Sequence, residues 1–290
     1  MGVLILVLIG VLAAVNGAND VSKGVATLRG SGLAGYRTAI FWGAITTLAG
    51  CLLSAALAHS MLKVFTGGAI TQPPTMVFEA AALIGVIAWV VVATVLRLPV
   101  STTHGLIGAL IGAGLLWAPH AIGWGVIAQR LVVPLLVSIF VAYGLSALAN
   151  YFARRVQKAA PRPAPAAGER RSLWGMDGLH WLSAGGVGFA RGLNDTPKIV
   201  SLGVAVQSVD VIWLFVLVSL AMFVGSIVAG SRVAKVLAED LVKMNPAEGF
   251  TANITTALLV GFGANLGLPM STTQVSTGAI AGISGGRKTA

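Results

Sequence analysis

Two aspartates stand out among the nine acidic residues of this 290-residue chain, because each follows an asparagine at the end of an apolar run. Asp20 lies in the sequence NGANDVSKG at 16–24, and Asp195 lies in RGLNDTPKI at 191–199. A carboxylate near the interior of a bilayer is unfavourable unless it has a partner or a bound cation. Carboxylate oxygens suit a hard cation such as sodium, and a carboxylate can carry a proton instead.

The asparagine in each motif adds a neutral carbonyl oxygen beside the carboxylate. We therefore predict a cation site, for sodium or a proton, built from Asn19, Asp20, Asn194 and Asp195. The alternative is structural: each aspartate caps a helix or pairs with the lysine three residues on, which is Lys23 or Lys198. The presence of the pattern in two copies favours the cation site.

A second repeated motif reads LPVSTTH at 98–104 and LPMSTTQ at 268–274. Proline ends the preceding helix and suits the first turn of the next, so the hydroxyls would stand at a helix N-terminus inside the membrane. Unpaired N–H groups and the positive end of the helix dipole favour an anion there. We predict a tetrahedral oxyanion site with these ligands: Ser101, Thr102, Thr103, Ser271, Thr272 and Thr273. The alternative is that the hydroxyls satisfy broken backbone or join helices.

Composition limits what the elements around these motifs can be. Hydrophobic residues make up 56% of the chain and charged residues 10%, against about 25% charged in soluble domains. This excludes a soluble enzyme and a disordered chain, and the single cysteine, Cys51, excludes an internal disulfide. The net charge is +10. Because most of the basic residues lie between the apolar runs, we expect them to contact lipid headgroups and not nucleic acid.

Apolar runs recur along the chain and predict an all-α polytopic membrane protein. The runs are Met1–Ala18, Tyr36–Ala58, Val77–Leu96, Val100–Trp117, Trp124–Phe152, Met176–Ala190, Leu202–Gly230, Phe250–Leu268 and Met270–Ser284. A spanning helix needs about 20 apolar residues, so the shorter runs predict broken or re-entrant helices near the midplane. The predicted units are a first transmembrane repeat at 1–152, a basic, proline-rich cytoplasmic linker at 153–175 and a second repeat at 176–290. We expect the second repeat to lack a counterpart of the last run of the first, Trp124–Phe152.

Basic residues predict the orientation of these spans. With the linker in the cytoplasm, fifteen Lys and Arg residues fall inside and four fall outside, namely Lys63, Arg130, Arg191 and Lys198. This excess favours a cytoplasmic linker and an external N-terminus.

The spacing of the two motifs indicates a duplication. The Asn-Asp motif at 16–24 recurs at 191–199, and the Ser-Thr-Thr motif at 98–104 recurs at 268–274, in the same order and at nearly the same separation. Five crossings before the linker would invert the second half relative to the first. Inverted repeats are a recurrent plan of secondary transporters, whose sites lie where interrupted helices of both halves meet.

The chain resembles the inorganic phosphate transporter (PiT) family, which includes sulfate permeases. The family signature is G-x-N-D followed by P-x-S-T-T in each half, found here at 17–20 with 99–103 and at 192–195 with 269–273. The resemblance implies phosphate uptake driven by a sodium or proton gradient, with no other cofactor, through an inverted-repeat helical fold that is commonly a homodimer. It also implies a multi-pass protein of the cytoplasmic membrane, with the cation at the Asn-Asp pairs and the oxyanion at the hydroxyls.

Three alternatives remain open from the residues. A sulfate permease would share every motif, and a passive anion channel would lack coupling to a gradient. A membrane enzyme acting on phosphorylated substrates is disfavoured, because the chain has no Cys–His pair or metal cluster near the motifs.

His104 holds the position in the first motif that Gln274 holds in the second, and it could relay protons or could be structural.

Overall fold

The computed structural model describes residues 1–57, 59–67, 69–159, 175–204, 206, 208–240 and 244–284. These residues form helices joined by short turns, with no β-strand among them. The helices are α1 (Gly2–Asp20), α2 (Ser22–Gly30), α3 (Tyr36–Leu57), α4 (His59–Gly67), α5 (Met76–Val95), α6 (Thr102–Trp117), α7 (Trp124–Val126), a π-helical segment (Ile127–Val132), α8 (Val133–Ala159), α9 (Met176–Val200), α10 (Val211–Asp240), α11 (Pro246–Asn265) and α12 (Thr272–Ser284). Short 3₁₀ turns lie at Pro119–Ala121 and Ser201–Gly203.

Five helical stretches in the described part of the chain are long and apolar enough to cross a membrane. They are Gly2–Gly30, Tyr36–Leu57, Met76–Val95, Trp124–Arg155 and Val211–Ala229. Large apolar side chains cover their outer faces, as at Val228 and Phe140, which are each 76% exposed. The prediction of an all-α polytopic membrane protein is confirmed.

Some helices extend beyond the predicted apolar runs. α9 continues to Val200 and carries the second Asn-Asp motif in its interior, although Pro197 lies within it. Pro197 has no N–H to donate to the preceding turn, and the Thr196 hydroxyl bonds to the Gly192 carbonyl at 2.8 Å. α8 continues to Ala159, past the predicted start of the linker at 153. Residues 160–174 of that linker lie outside the described residues.

The two halves interlock through equivalent pairs of helices. α1 packs chiefly against α10, and α9 packs against α3. A Cβ atom at Gly17 would collide with the Met222 carbonyl oxygen, and one at Gly192 would collide with the Thr47 carbonyl oxygen. In the register that aligns the Asn-Asp motifs, Gly17 matches Gly192 and Thr47 matches Met222. The G-x-N-D glycines therefore permit the same close helix approach twice, as expected for a duplication.

Two helical hairpins carry the Ser-Thr-Thr motifs, one formed by α5 and α6 and the other by α11 and α12. Their turns match in detail: Arg97 has a φ of 61° and Gly267 a φ of 71°. The next residue donates its N–H to a carbonyl five residues back at 2.8 Å in both turns, from Leu98 and from Leu268. The two turns therefore follow the same backbone path at equivalent positions of the two halves.

The second helix of each hairpin is short. α6 has 16 residues and α12 has 13. At a rise of 1.5 Å per residue α6 is about 24 Å long, less than the roughly 30 Å hydrocarbon core, and α12 is described only as far as Ser284. The length of α6 suits a re-entrant helix, while the opposite orientation of the two halves stays a prediction.

Candidate functional site

The predicted hydroxyls stand at the starts of α6 and α12. Ser101 is the N-cap of α6, and its Oγ accepts the His104 N–H at 3.3 Å. Ser271 does the same for Gln274 at 3.2 Å. The prolines of the two motifs lie in the turns ahead of these caps, not in the first helical turn as predicted. Each hairpin therefore presents a helix N-terminus with its hydroxyls at its tip.

The asparagine of each Asn-Asp motif holds the hairpin tip of its own half. Asn19 donates to the Leu98 carbonyl at 3.0 Å and accepts the Val100 N–H at 3.2 Å. Asn194 donates to the Met270 carbonyl at 2.8 Å and accepts the Met270 N–H at 3.1 Å. In this arrangement both amide groups bind the backbone, which fixes the tips against α1 and α9.

The two tips also contact each other. Thr103 Oγ1 donates to the Met270 carbonyl at 3.3 Å, and Thr273 Oγ1 donates to the Val100 carbonyl at 2.8 Å. Thr103 and Thr273 are equivalent residues of the two motifs, and so are Val100 and Met270. The structure brings the two motifs together at a single point between the halves.

Each aspartate pairs with the lysine three residues on. Lys23 Nζ forms an ion pair with Asp20 Oδ1 and also donates to Asn19 Oδ1 at 3.3 Å and to the Val100 carbonyl at 2.9 Å. The lysine ammonium therefore lies among a carboxylate, an amide and a backbone oxygen. These are the oxygen types that a sodium ion would take.

The second half repeats this arrangement with one change. Lys198 Nζ lies 3.2 Å from Asp195 Oδ1 and 2.9 Å from the Met270 carbonyl. It donates its third bond to Thr103 Oγ1 of the first half, at 2.8 Å. The lysine pairing considered from the sequence is present in both halves, and cation binding at these aspartates stays a prediction.

The site is buried and closed. Asp20, Lys23, Asp195 and Lys198 are each less than 5% exposed, and Ser101 and Thr273 are half-buried. A cavity of about 10 Å³ remains beside the Asp195–Lys198 pair, enough for about one water molecule. Its lining residues are Leu12, Asn16, Thr102, Thr103, Leu106, Asp195, Lys198 and Ile199. Opening is therefore required before an anion as large as phosphate can enter.

Arg191 is the residue that the sequence argument missed. The prediction that Arg191 is one of the basic residues on the external side is wrong, because Arg191 lies within α9 and is 1% exposed. Lys198, which was also counted outside, and Lys23, which was counted inside, are buried as well. The sequence did contain a signal, because Arg191 is the first residue of the second Asn-Asp motif and Asn16 is the first residue of the other.

His104 lies at the edge of the site. Its Nδ1 is 2.7 Å from Ser101 Oγ, and the residue is exposed. The equivalent Gln274 has an Oε1 with no hydrogen-bond partner. In the described part of the chain, no group of three or more His, Cys, Asp or Glu side chains could hold a metal ion.

Comparison with known proteins gives one consistent result. The model of the phosphate transporter family matches residues 16–290. A "Probable low-affinity inorganic phosphate transporter" of Mycobacterium leprae is 28% identical over 96% of this chain and 68% of its own length. A protein with the same name in Rhizobium meliloti is 28% identical over 94% of this chain and 82% of its own length. The chain spans about two thirds of the length of the mycobacterial relatives.

A solved structure has the same fold. It is described as "The sodium-dependent phosphate transporter" and superposes with a TM-score of 0.82. The match covers 99% of this chain and 90% of the other, at 20% sequence identity. At that identity the likeness establishes the fold alone.

Proposed function

The chain belongs to the phosphate transporter family, and from that premise we propose that it is a secondary active transporter of inorganic phosphate driven by a cation gradient. The family is one of transporters rather than enzymes. One observation carries the proposal: the hairpin tips of both halves meet, through Thr103 with Met270 and Thr273 with Val100, beside a buried Asp–Lys pair from each half.

The anion site is formed by the two helix starts. The first N–H groups of α6 and α12 have no partner within their helices, and the positive ends of the helix dipoles lie there. Hydroxyls at both starts add donors in a buried setting, with Thr102, Thr103 and Thr272 each less than 7% exposed. A tetrahedral phosphate can accept hydrogen bonds from both starts at once. Sulfate has the same shape and is the competing substrate.

The coupling cation acts at the aspartates. Sodium and a proton are both compatible with a carboxylate, and the solved structure with the same fold is described as sodium-dependent. In this chain the ammonium groups of Lys23 and Lys198 already occupy the oxygens that sodium would need. A sodium ion would have to displace a lysine, so the lysines favour the proton as the coupling ion.

Transport proceeds by alternating access. The contacts between the two tips break, and the cavity of about 10 Å³ then opens to one side of the membrane. Because each tip is held by its own asparagine, a hairpin and the helix that holds it can move as one body. Rocking of one half against the other about a fixed central site is the usual scheme of such transporters.

The setting follows from the fold and the relatives. The chain is a multi-pass membrane protein, and its bacterial relatives favour the cytoplasmic membrane. Homodimer formation, which the resemblance implies, stays a prediction.

Uptake of labelled phosphate into liposomes containing the purified protein tests the proposal. Three conditions separate the drivers: an inward proton gradient without sodium, an inward sodium gradient at equal pH, and no gradient. We expect accumulation above the external concentration with the proton gradient. Accumulation with sodium alone would reverse the choice of coupling ion and leave the transport function intact.

Two further outcomes would change the function itself. Equilibration without accumulation under either gradient would indicate a passive anion channel. Unlabelled sulfate that suppresses phosphate uptake as strongly as unlabelled phosphate does would indicate a permease that takes both anions.

A further inference from the structure

Arg191 is a fully buried cation without a partner. It is 1% exposed, and its Nε and both terminal nitrogens lack hydrogen bonds. Within the described residues, its guanidinium forms no ion pair with a carboxylate. Arginine stays protonated in proteins, so it cannot relieve its burial by losing the charge. A buried charge left in this way is strongly unfavourable unless a counter-ion binds it.

The duplication shows what stands in the same place in the other half. Asn16 is the equivalent residue, and it donates to Thr102 Oγ1 at 2.9 Å. Thr272 is the equivalent of Thr102, and its Oγ1 has no partner. A neutral pair joined by a hydrogen bond in the first half, in which only Asn16 Oδ1 lacks a partner among the described residues, is therefore replaced in the second by a cation and a hydroxyl that are both unsatisfied.

Other unsatisfied groups lie near Arg191. Thr47 packs against the same turn of α9, where its Oγ1 would lie 3.3 Å from a Cβ atom at Gly188, and this hydroxyl has no partner. Asp195, one turn further along α9, uses only Oδ1 for its bonds to Lys198 and Asn194. The Thr47 hydroxyl, on the helix packed against this turn of α9, can donate, and a guanidinium can only donate, so the turn carries donors suited to an anion.

The net charge of the buried cluster also favours binding of an anion. Asp20 and Asp195 are matched by Lys23 and Lys198, and Arg191, one turn before Asp195 on α9, is a third buried cation. When all five groups are ionised, Arg191 leaves one positive charge without a counterpart. One monoanion would make the buried cluster neutral.

We propose that Arg191 binds the transported phosphate directly, as a fixed cation that the second half alone contributes to the site. A planar guanidinium can hold two oxygens of one phosphate through parallel hydrogen bonds. Thr47, on α3 against the same turn of α9, supplies a further donor, and Thr272 lies at the start of α12 in the proposed anion site. This inference rests on the proposed function, because it specifies how the same site holds its substrate.

Phosphate-dependent thermal unfolding of the purified protein in detergent tests the inference. The variants are Arg191→Met, which removes the charge at similar volume, and Arg191→Lys, which keeps the charge without the planar fork. Arg154→Met is the matched control, because Arg154 pairs with Glu248 at 3.2 Å away from the site. Melting temperatures are measured over a phosphate titration, and again with sulfate.

We expect phosphate to stabilise the wild type and Arg154→Met, with Kd raised at least about tenfold in both Arg191 variants. Without phosphate, Arg191→Met should melt at or above the wild-type temperature, because the unpaired buried charge is gone. A lower melting temperature with wild-type phosphate affinity would show that Arg191 is structural, pairing with Asp195, and would overturn the inference. If Arg191→Met does not fold, wild-type affinity in Arg191→Lys would overturn it.

The wild type separates this inference from the function. A wild type that no phosphate concentration stabilises, and that transports no phosphate, would overturn both. A wild type that binds phosphate, with Arg191 variants that bind it equally, would overturn only the role of Arg191.

Discussion

Lys198 Nζ donates a hydrogen bond of 2.8 Å to Thr103 Oγ1, and so joins the cation of one half to the hydroxyl of the other. Thr103 passes the connection on by donating to the Met270 carbonyl at 3.3 Å. The charge pair and the hairpin tips are therefore one network. A change at either aspartate can reach the helix start of the opposite half through bonds present in the structure.

The bonds between the tips are tested by removing single hydroxyls. We expect Thr103→Val and Thr273→Val each to lose about 0.5–1.5 kcal/mol of unfolding free energy, because each change removes one hydrogen bond from a carbonyl that keeps its lysine donor. Phosphate uptake should fall in both variants. Thr256→Val is the control, since the Thr256 hydroxyl is buried but bonds only to Ala252 of its own helix at 2.8 Å. Equal effects in all three variants, by thermal unfolding and uptake, would show that the tips have no special role.

The lysines are tested by restoring a place for a free cation. Lys23→Asn leaves the Asp20 carboxylate without its ammonium partner, which should cost about 3–5 kcal/mol when no other cation is present. Sodium should recover part of this loss by taking the vacated oxygens, so the melting temperature of Lys23→Asn should rise with sodium but not with choline. The exposed Lys63, changed to Asn, serves as the control. A variant that responds equally to both salts would contradict this account of the site.

Close approach at the motif glycines is tested with one methyl group. Gly17→Ala and Gly192→Ala should each destabilise by about 1–3 kcal/mol, because a backbone carbonyl of the neighbouring helix occupies the space. Gly144→Ala is the control, since no atom lies within 4 Å of the added carbon. Thermal unfolding compares the three. Equal stability would mean that α1 and α9 do not need this separation from α10 and α3.

Substitutions at the equivalent positions 97 and 267 of the two hairpin turns should change the melting temperature in opposite directions. Arg97 has a φ of 61°, a region that disfavours residues with a Cβ atom by roughly 1 kcal/mol or more. Arg97→Gly should therefore raise the melting temperature slightly, and Gly267→Ala should lower it. Changes of the same sign in both would show that the turns differ.

The positions of the motifs could be predicted because the chain contains each motif twice, while the binding roles of their residues stay predictions. Spacing alone placed Asp20 with Asp195 and Ser101 with Ser271, and helix chemistry placed the hydroxyls at N-termini. The partners of Thr103 and Thr273 could not be predicted, because those contacts join segments from opposite halves of the chain. Local sequence patterns do not indicate which residues of distant segments pack together.

Arg191 shows a different limit. Hydropathy treats an arginine at the end of an apolar run as a residue at the membrane surface, and α9 continues past it only because neighbouring helices cover it. Comparison with Asn16 at the equivalent position was the one sequence feature that set it apart. α9 also continues through Pro197, although proline disfavours a helix interior.

The central claim is that the carboxylates of both halves couple a cation to the movement of phosphate, and gradient-driven uptake by Asp20→Asn and Asp195→Asn tests it most directly. Both changes keep the shape of the side chain and remove its charge. With folding verified by thermal unfolding, we predict that each variant loses accumulation of phosphate in liposomes under an imposed gradient. Accumulation at the wild-type level in both variants would contradict the account.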